Sequence, residues 1–515
     1  MCRRLHATLC LLSVASSLRT GFMFPRQGRK TIEREGELSA TINHLRDKSE
    51  VPMTIVEQMA DFAVLPNLES LSAGVRAQIK IRMLDALGCA IGATGTDRML
   101  RLRQYVGDFA QYGKCSLIGG GRSSPDRAAL MNGALVAGLD FNDSYLAPEE
   151  TCHPSDNFAA VLAAAELADA DGGTLLTALA VAYQVQCRLS DEAPARTDGL
   201  HHPALLAYSA AAGISRALSL DAPHTANAIA ISGTALNPLR AARTAASSDW
   251  ICLAAPFTAS IAMQATLLAR RGVTGPSEIF EGSEVLMDTI TGFGMIDWKN
   301  EGLDRVEGTI VKRHHAHLHA QTAIEAALEL QLANDIDSDQ IERVDVDIFD
   351  AARPLVSEGE HHVSRTFTSE DAYNDLHYLI AVALLDRQVM PGQFAGERIR
   401  RADVQALLSR VAVHPVEDHS RLFPGEMPST VSLTLKDGRV LRRALSDYPG
   451  FRSRPQTWDE ALLKFHVLAS PHASDDVLGE IAGTVQDIEK VRVADLTRLL
   501  RDLGQPAKGD VRNVA

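Results

Sequence analysis

The sequence predicts a mostly α protein with a smaller α+β domain, on three observations. Apolar residues recur at helical spacing from Met53 to about residue 335. Beyond that, several segments alternate with period two. Aromatic residues are only 5% of the 515 while hydrophobic residues are 46%, so the core is built from Ala, Leu, Val and Ile, small side chains that let helices pack closely.

Residues 1–52 are expected to lie outside the fold. MCRRLHATLCLLSVASSL sets basic residues before an apolar stretch, and no acid precedes Glu33. A transit peptide, a secretory signal and a non-functional extension all fit, whereas the stretch is too short to span a membrane. The compartment expected is the cytoplasm, or the mitochondrion if the chain is eukaryotic and the extension is a transit peptide.

Residues 53–319 read as an all-helical domain. Ser72 is placed to cap GVRAQIKIRMLDALGCAIGA. Gly119 to Gly121 form a turn, followed by a helix ending near Asp140; without G-K-[ST], a phosphate cradle is the weaker reading. FAAVLAAAELADA follows, with Asp171-Gly172-Gly173 as its stop. TLLTALAVAYQVQCRLS, ALLAYSAAAGISRALSL and Leu253 to Arg270 continue the bundle. Residues 320–455 read as the α+β domain. ERVDVDIFD and SRVAVHPV are strands, YLIAVALLDRQ is a helix, and STVSLTLKDGRVLRRAL is a hairpin turning at Asp437-Gly438. Residues 456–503 return as helices to the first domain, and 504–515 are a tail.

A net charge of −14 argues against a broad nucleic-acid surface, and an anionic substrate would need a local basic pocket. Seven cysteines without a C-x-x-C pair point to reduced, buried thiols.

The chemistry concentrates in four turns, each feeding an alanine-rich helix. LDFNDSYLAPEETCHPSDN carries five acids and His153 in nineteen residues. One reading is structural: Asp156 or Asn157 caps the helix at Phe158, and the other acids are solvated. The other is functional, since a helix N-terminus welcomes substrate carboxylates. DGLHHPALLA adds His201 and His202, VKRHHAHLHAQTA adds His314, His315, His317 and His319, and DAYNDLHYLIAVALL adds His377 and Tyr378. HHAHLH has ligand types for a metal but no H-E-x-x-H frame, so no metal is expected. Imidazoles suit proton transfer near neutral pH.

RMLDALGCAIGA, AALMNGALVAGLDFNDSYLAPEETCHPSDN, HAQTAIEAA, YLIAVALL and PSTVSLTLKDGR together resemble the MmgE/PrpD family over about residues 53–500. The resemblance implies a large all-helical domain and a lid-like α+β domain, an active site in the cleft between them, a homodimer, and cofactor-free lyase chemistry on small polycarboxylates. The loop is most similar to the dehydratase branch, which implies dehydration of 2-methylcitrate. Decarboxylation of cis-aconitate, epimerisation of an iminodicarboxylate, and a binder without catalysis are the alternatives. By the resemblance, Asp140, His153, His202, His319 and Tyr378 are the catalytic candidates. Asp143, Ser144, His201, Arg240, Arg243 and Lys312 are the candidate substrate contacts. GTALNPLRAARTAASSDWICLAAPF lacks the lysine that the decarboxylase branch has there, leaving Arg240 and Arg243 as its cations. The expected mechanism makes His153 and His319 the acid/base pair in either order, Asp140 orienting His153 or accepting a proton itself, and Tyr378 donating to the leaving oxygen.

Overall fold

Thr54 caps helix α1 (Ile55–Val64) through a capping box with Glu57. The computed structural model describes residues 52–109, 113–148, 150–192, 199–236, 238–241, 248–281, 296–356 and 368–503. Ser72 caps α2 (Ala73–Gly92), its Oγ accepting from Val75 N–H at 3.0 Å. After α3 (Asp97–Gly107), Gly119, Gly120 and Gly121 all take positive φ and turn the chain into α4 (Pro125–Ala137). Then come α5 (Phe158–Leu167), α6 (Gly172–Glu192), α7 (Pro203–Ala217), α8 (Ala222–Ala235) and α9 (Ala254–Ala269). Helix α9 packs on α4, α7 and α8, and α7 packs on α6. Their contact faces are largely alanine: Ala178, Ala182, Ala210, Ala259 and Ala262 are all buried. At Gly213, an added Cβ would lie 2.8 Å from the Ala182 methyl, so α7 sits as close to α6 as glycine allows.

Two local expectations are corrected. Gly172 and Gly173 do not stop α5, which ends at Leu167; they begin α6, with the Asp171 carboxylate accepting from Thr174 N–H. Gly172 is required because a Cβ there would lie 1.8 Å from the Ile488 carbonyl oxygen. Neither Asp156 nor Asn157 caps α5 through its side chain. A 3-10 turn, Pro154–Asn157, precedes that helix, and Asn157 spends its amide on the Pro154 carbonyl and on Gln186.

The four-stranded sheet has the order β2-β1-β3-β4, where β1 is Ile341–Ile348, β2 Val411–Pro415, β3 Ser429–Leu435 and β4 Val440–Leu445. β1 runs parallel to β2 (Val344 opposite Val411) and antiparallel to β3 (Val344 opposite Leu433). β3 and β4 form the hairpin, turned by Gly438 at φ +85°. Val344, Val346 and Ile348 point into a core that α10 (Gln321–Asn334) and α11 (Leu376–Asp386) cover. Leu146 and Ile310 belong to that same core. Helix α12 (Trp458–Ala469) packs on α2, α13 (Asp475–Gln486) packs beside it, and α14 (Val493–Arg501) lies against α5. All three contribute to the helical core. Among the described residues, no helix is long and apolar enough to cross a membrane.

Candidate active site

The chain leaves α4 and reverses at Asp140, which holds a left-handed φ of +47°. A non-glycine residue there is strained and persists only where its surroundings fix it. Lys312 does so: Nζ lies 2.6 Å from Asp140 Oδ1 and donates to the Asp140 carbonyl at 2.5 Å. The Tyr373 hydroxyl donates to the same carbonyl at 2.8 Å. Lys312 is buried, whereas the Asp140 side chain keeps 40% of its surface. Behind them, buried Lys464 bonds the carbonyls of Phe141 (2.7 Å) and Lys312 (2.9 Å), and its Nζ is 2.6 Å from Asp85 Oδ1.

The acid-rich loop is folded back on itself by paired Tyr145–Leu146 and Thr151–Cys152. Ser144 bridges Ile310 through its backbone, and its Oγ is 3.2 Å from His153 Nδ1. His153 Nδ1 is 2.8 Å from the Asp143 carbonyl oxygen. A carbonyl can only accept, so Nδ1 carries the proton and Nε2 is the acceptor of the neutral ring. Burial first, then the Lys312 charge, hold the His153 imidazole below its ordinary range. Its neutral, basic form is therefore the resident one near pH 7.

His201 and His202 enter from the start of α7, with ring centroids 4.3 Å apart. His202 meets His153 edge-on at 5.2 Å, and its Nε2 is 3.5 Å from Asp156 Oδ2. These groups line a cavity of about 290 Å³, together with Asp140, Asn142, Arg98, Cys252, His315, Glu370, Tyr373 and Asn374. Such a volume, small and lined with polar and apolar groups, suits a compact ligand. Arg98 reaches it from α3, its Nε bonded to Asp249 at 2.8 Å. His315 bonds the Leu139 carbonyl through Nε2 at 2.8 Å, and burial pushes its ring down to about 4.

The structure thus brings Asp140, His153, His201 and His202 into one wall. Asp143, Ser144 and Lys312 stand behind it. The Asp143 carboxylate accepts from Ser155 N–H and the Tyr183 hydroxyl, so it is an internal brace. His319 and Tyr378 do not line the cavity. His319 Nδ1 bonds the Ala351 carbonyl, and its ring packs against Phe349 and Phe423. The Tyr378 hydroxyl donates to the Gln393 carbonyl in the core of the sheet domain. Arg240 is half-buried in a loop whose backbone bonds Gly199, also outside the lining residues, and Arg243 lies outside the described residues. The HHAHLH imidazoles go separate ways: His314 bonds Glu325 at 2.8 Å, His315 bonds Leu139, and His317 accepts from His319 N–H. Sequence reasoning missed Arg98, Glu370, Tyr373 and the site role of His315. Arg98 sits on a surface-type amphipathic helix and carries no motif. The Tyr373 and Glu370 signal was present, in the EDAYND stretch just before a histidine.

A sequence profile of the MmgE/PrpD N-terminal domain matches residues 57–298, and one of the MmgE/PrpD C-terminal domain matches residues 314–490. Cis-aconitate decarboxylase of Mus musculus is 26% identical, covering 87% of this chain and 93% of its own. The mitochondrial 2-methylcitrate dehydratase of Yarrowia lipolytica is 26% identical over 83% of this chain and 86% of its own. The 2-methylcitrate dehydratase of Cupriavidus necator is 27% identical over 71% and 80%.

Proposed function

The chain belongs to the MmgE/PrpD family, and from that premise we propose that it is a lyase for a small polycarboxylate, dehydrating 2-methylcitrate. The observation that carries this reading is His153: a buried imidazole whose proton is committed to the Asp143 carbonyl, leaving Nε2 as a base in a cavity of substrate size. Removing a proton from carbon beside a carboxylate needs such a base, plus positive charge or N–H donors for the developing enediolate. Arg98 supplies a guanidinium in the wall, and Lys312 offsets the charge of Asp140, so an anionic substrate meets less repulsion than the acid count suggests. The revised role set is His153 as base, Asp140 with Lys312 and Tyr373 as the fixed floor, and Arg98 as a carboxylate anchor. His319 and Tyr378 are left out.

The test uses purified protein, incubated with 2-methylcitrate, citrate and cis-aconitate, with and without chelator. New C=C absorbance and CO₂ release are followed together. Unsaturation from 2-methylcitrate without CO₂ supports the reading, and its loss in a folded His153→Ala variant supports the base. CO₂ from cis-aconitate would instead support decarboxylation, the reading favoured by the long match to the mouse decarboxylase. Saturable thermal stabilisation without turnover would mean a binder. We also propose a homodimer, for which light scattering would read twice 55.6 kDa.

A further inference from the structure

Asp156 sits in the 3-10 turn that leads into α5. It does not cap α5, it is buried to 5% exposure, and it lines the cavity. Among the described residues, no hydrogen bond reaches its buried Oδ2, and His202 Nε2 stands 3.5 Å away. An ionised carboxylate taken out of water without hydrogen bonds is strongly disfavoured, whereas a neutral carboxylic acid is tolerated there. The groups facing it are His153 on its own turn, Asp140 and Asp143 on the preceding loop, Lys312 from behind Asp140, and His202 from α7. Two of these are acids, which disfavour a further negative charge, while His153 and Lys312 oppose them less strongly than burial acts.

We propose that Asp156 is a catalytic residue of this site, entering the reaction protonated and delivering its proton to the oxygen that departs from a hydroxy-polycarboxylate. This rests on the dehydratase reading above and assigns its missing acid. His153 Nε2 takes the proton from carbon, and the C–H electron pair becomes the new C=C bond. The C–O bond breaks, and the oxygen leaves as water with the Asp156 proton. The enzyme then holds an imidazolium at His153 and a carboxylate at Asp156. His202, edge-on to the one and 3.5 Å from the other, is the positioning residue through which the proton returns. Charge and protons balance without any further reactant.

The placement agrees with the titration of the group: burial, against the opposing pull of His153 and Lys312 and with smaller additions from Asp143 and Asp140, pushes the Asp156 carboxyl up to about 7. The acid form is then half populated where a dehydratase would work.

The experiment compares wild type with Asp156→Asn on two substrates: the hydroxy-polycarboxylate, and its analogue with fluorine in place of the departing hydroxyl. Fluoride leaves without a proton. The expected result is a loss of at least ~100-fold in kcat on the hydroxy substrate, the ordinary worth of a general acid. Turnover of the fluoro analogue should stay close to wild type. Equal losses on both substrates overturn the proposal, because a merely structural residue would affect them alike. If the Asn variant does not fold, Asp156→Glu replaces it and must keep measurable turnover of the hydroxy substrate. Independently of any substrate, the infrared difference between wild type and either variant must contain a protonated carboxyl band that fades as the pH is raised through 7; an ionised Asp156 at mildly acid pH refutes the assignment. Failure of wild type to dehydrate any hydroxy acid would remove the substrate reading, and the infrared band would still decide on Asp156.

Discussion

Replacing Lys464 by methionine should destabilise the fold and do so in a pH-dependent way. Lys464 and Asp85 keep only 5% and 1% of their side-chain surfaces, with 2.6 Å between Nζ and Oδ1. The ammonium also lies 3.8 Å from the centroid of the Phe141 ring and bonds two backbone carbonyls. Removing one partner of a buried pair strands the other charge, at a cost of ~3–5 kcal/mol. That is a large part of a typical stability of ~5–15 kcal/mol. In wild type, burial already holds the Asp85 carboxyl above its ordinary range, against the opposing pull of Lys464. Without Lys464 it rises further. A carboxyl whose folded pKa is above its unfolded value favours the fold at low pH and loses that contribution as pH rises through the folded value. The Lys464→Met deficit should therefore be smaller at about pH 5 than at about pH 8. The assay is the urea midpoint followed by the fluorescence of buried Trp298. Asp85→Asn combined with Lys464→Met should recover at least half of the loss, because no charge is then stranded. A double variant as weak as the single one, or a deficit independent of pH, would refute the reasoning.

Turnover of His153→Gln should fall at least ~100-fold with little change in melting temperature, because the ring's task is proton transfer rather than packing. Since burial and Lys312 depress the His153 pKa, wild-type kcat/KM should hold as pH falls through the ordinary histidine value and drop only below it. His319→Ala should turn over near the wild-type rate, since the ring is seated against Phe349 and Phe423 outside the cavity; a loss as deep as that of His153→Gln would restore it to the mechanism. Arg98→Gln should raise KM more than it lowers kcat, by ~10-fold or more for a lost charge-assisted contact worth ~1.5–3 kcal/mol, as steady-state kinetics would show. Gly172→Ala should cost ~1–3 kcal/mol of stability, read as a lower urea midpoint, because its Cβ would meet the Ile488 carbonyl oxygen at 1.8 Å.

The fold was legible wherever a local pattern decided it. Ser72, the alternation of Val344, Val346 and Ile348, and the Asp437-Gly438 turn each carry their own signal, and each element lies where that signal placed it. Gly172 misled for a physical reason: a glycine that permits a positive φ and a glycine that admits a carbonyl from a distant turn look the same in one dimension. The site was legible in part. His153, His201 and His202 could be named because histidines gathered at helix starts are uncommon. Which of the four imidazoles in HHAHLH faces the cavity goes with distant partners, the Leu139 carbonyl for His315 and the Ala351 carbonyl for His319, and periodicity does not encode that. His315 is in the wall and His319 is not. Arg98 was invisible because its partner, Asp249, is 151 residues away.

The charges of the site are settled behind its wall rather than in it. Four carboxyl groups, Asp85, Asp140, Asp143 and Asp156, lie on or just behind one side of the cavity, in a protein that is acidic overall. Each is disposed of differently. Asp85 is matched to Lys464 and Asp140 to Lys312, while Asp143 is saturated by Ser155 and Tyr183. Asp156 is met by an imidazole instead, His202 Nε2 standing 3.5 Å from its Oδ2. A low-dielectric alanine core makes each of these choices costly to reverse, since an unmatched buried charge costs several kcal/mol. The two lysines also link the parts: Lys312 comes from the segment leading into α10 and Lys464 from α12, yet both end on the loop that begins at Asp140. That loop is therefore held by groups from distant parts of the chain, and its strained Asp140 persists because they converge on it. The two lysines hold the Asp140 loop still, and the carboxyl left to an imidazole is the one proposed above to give a proton.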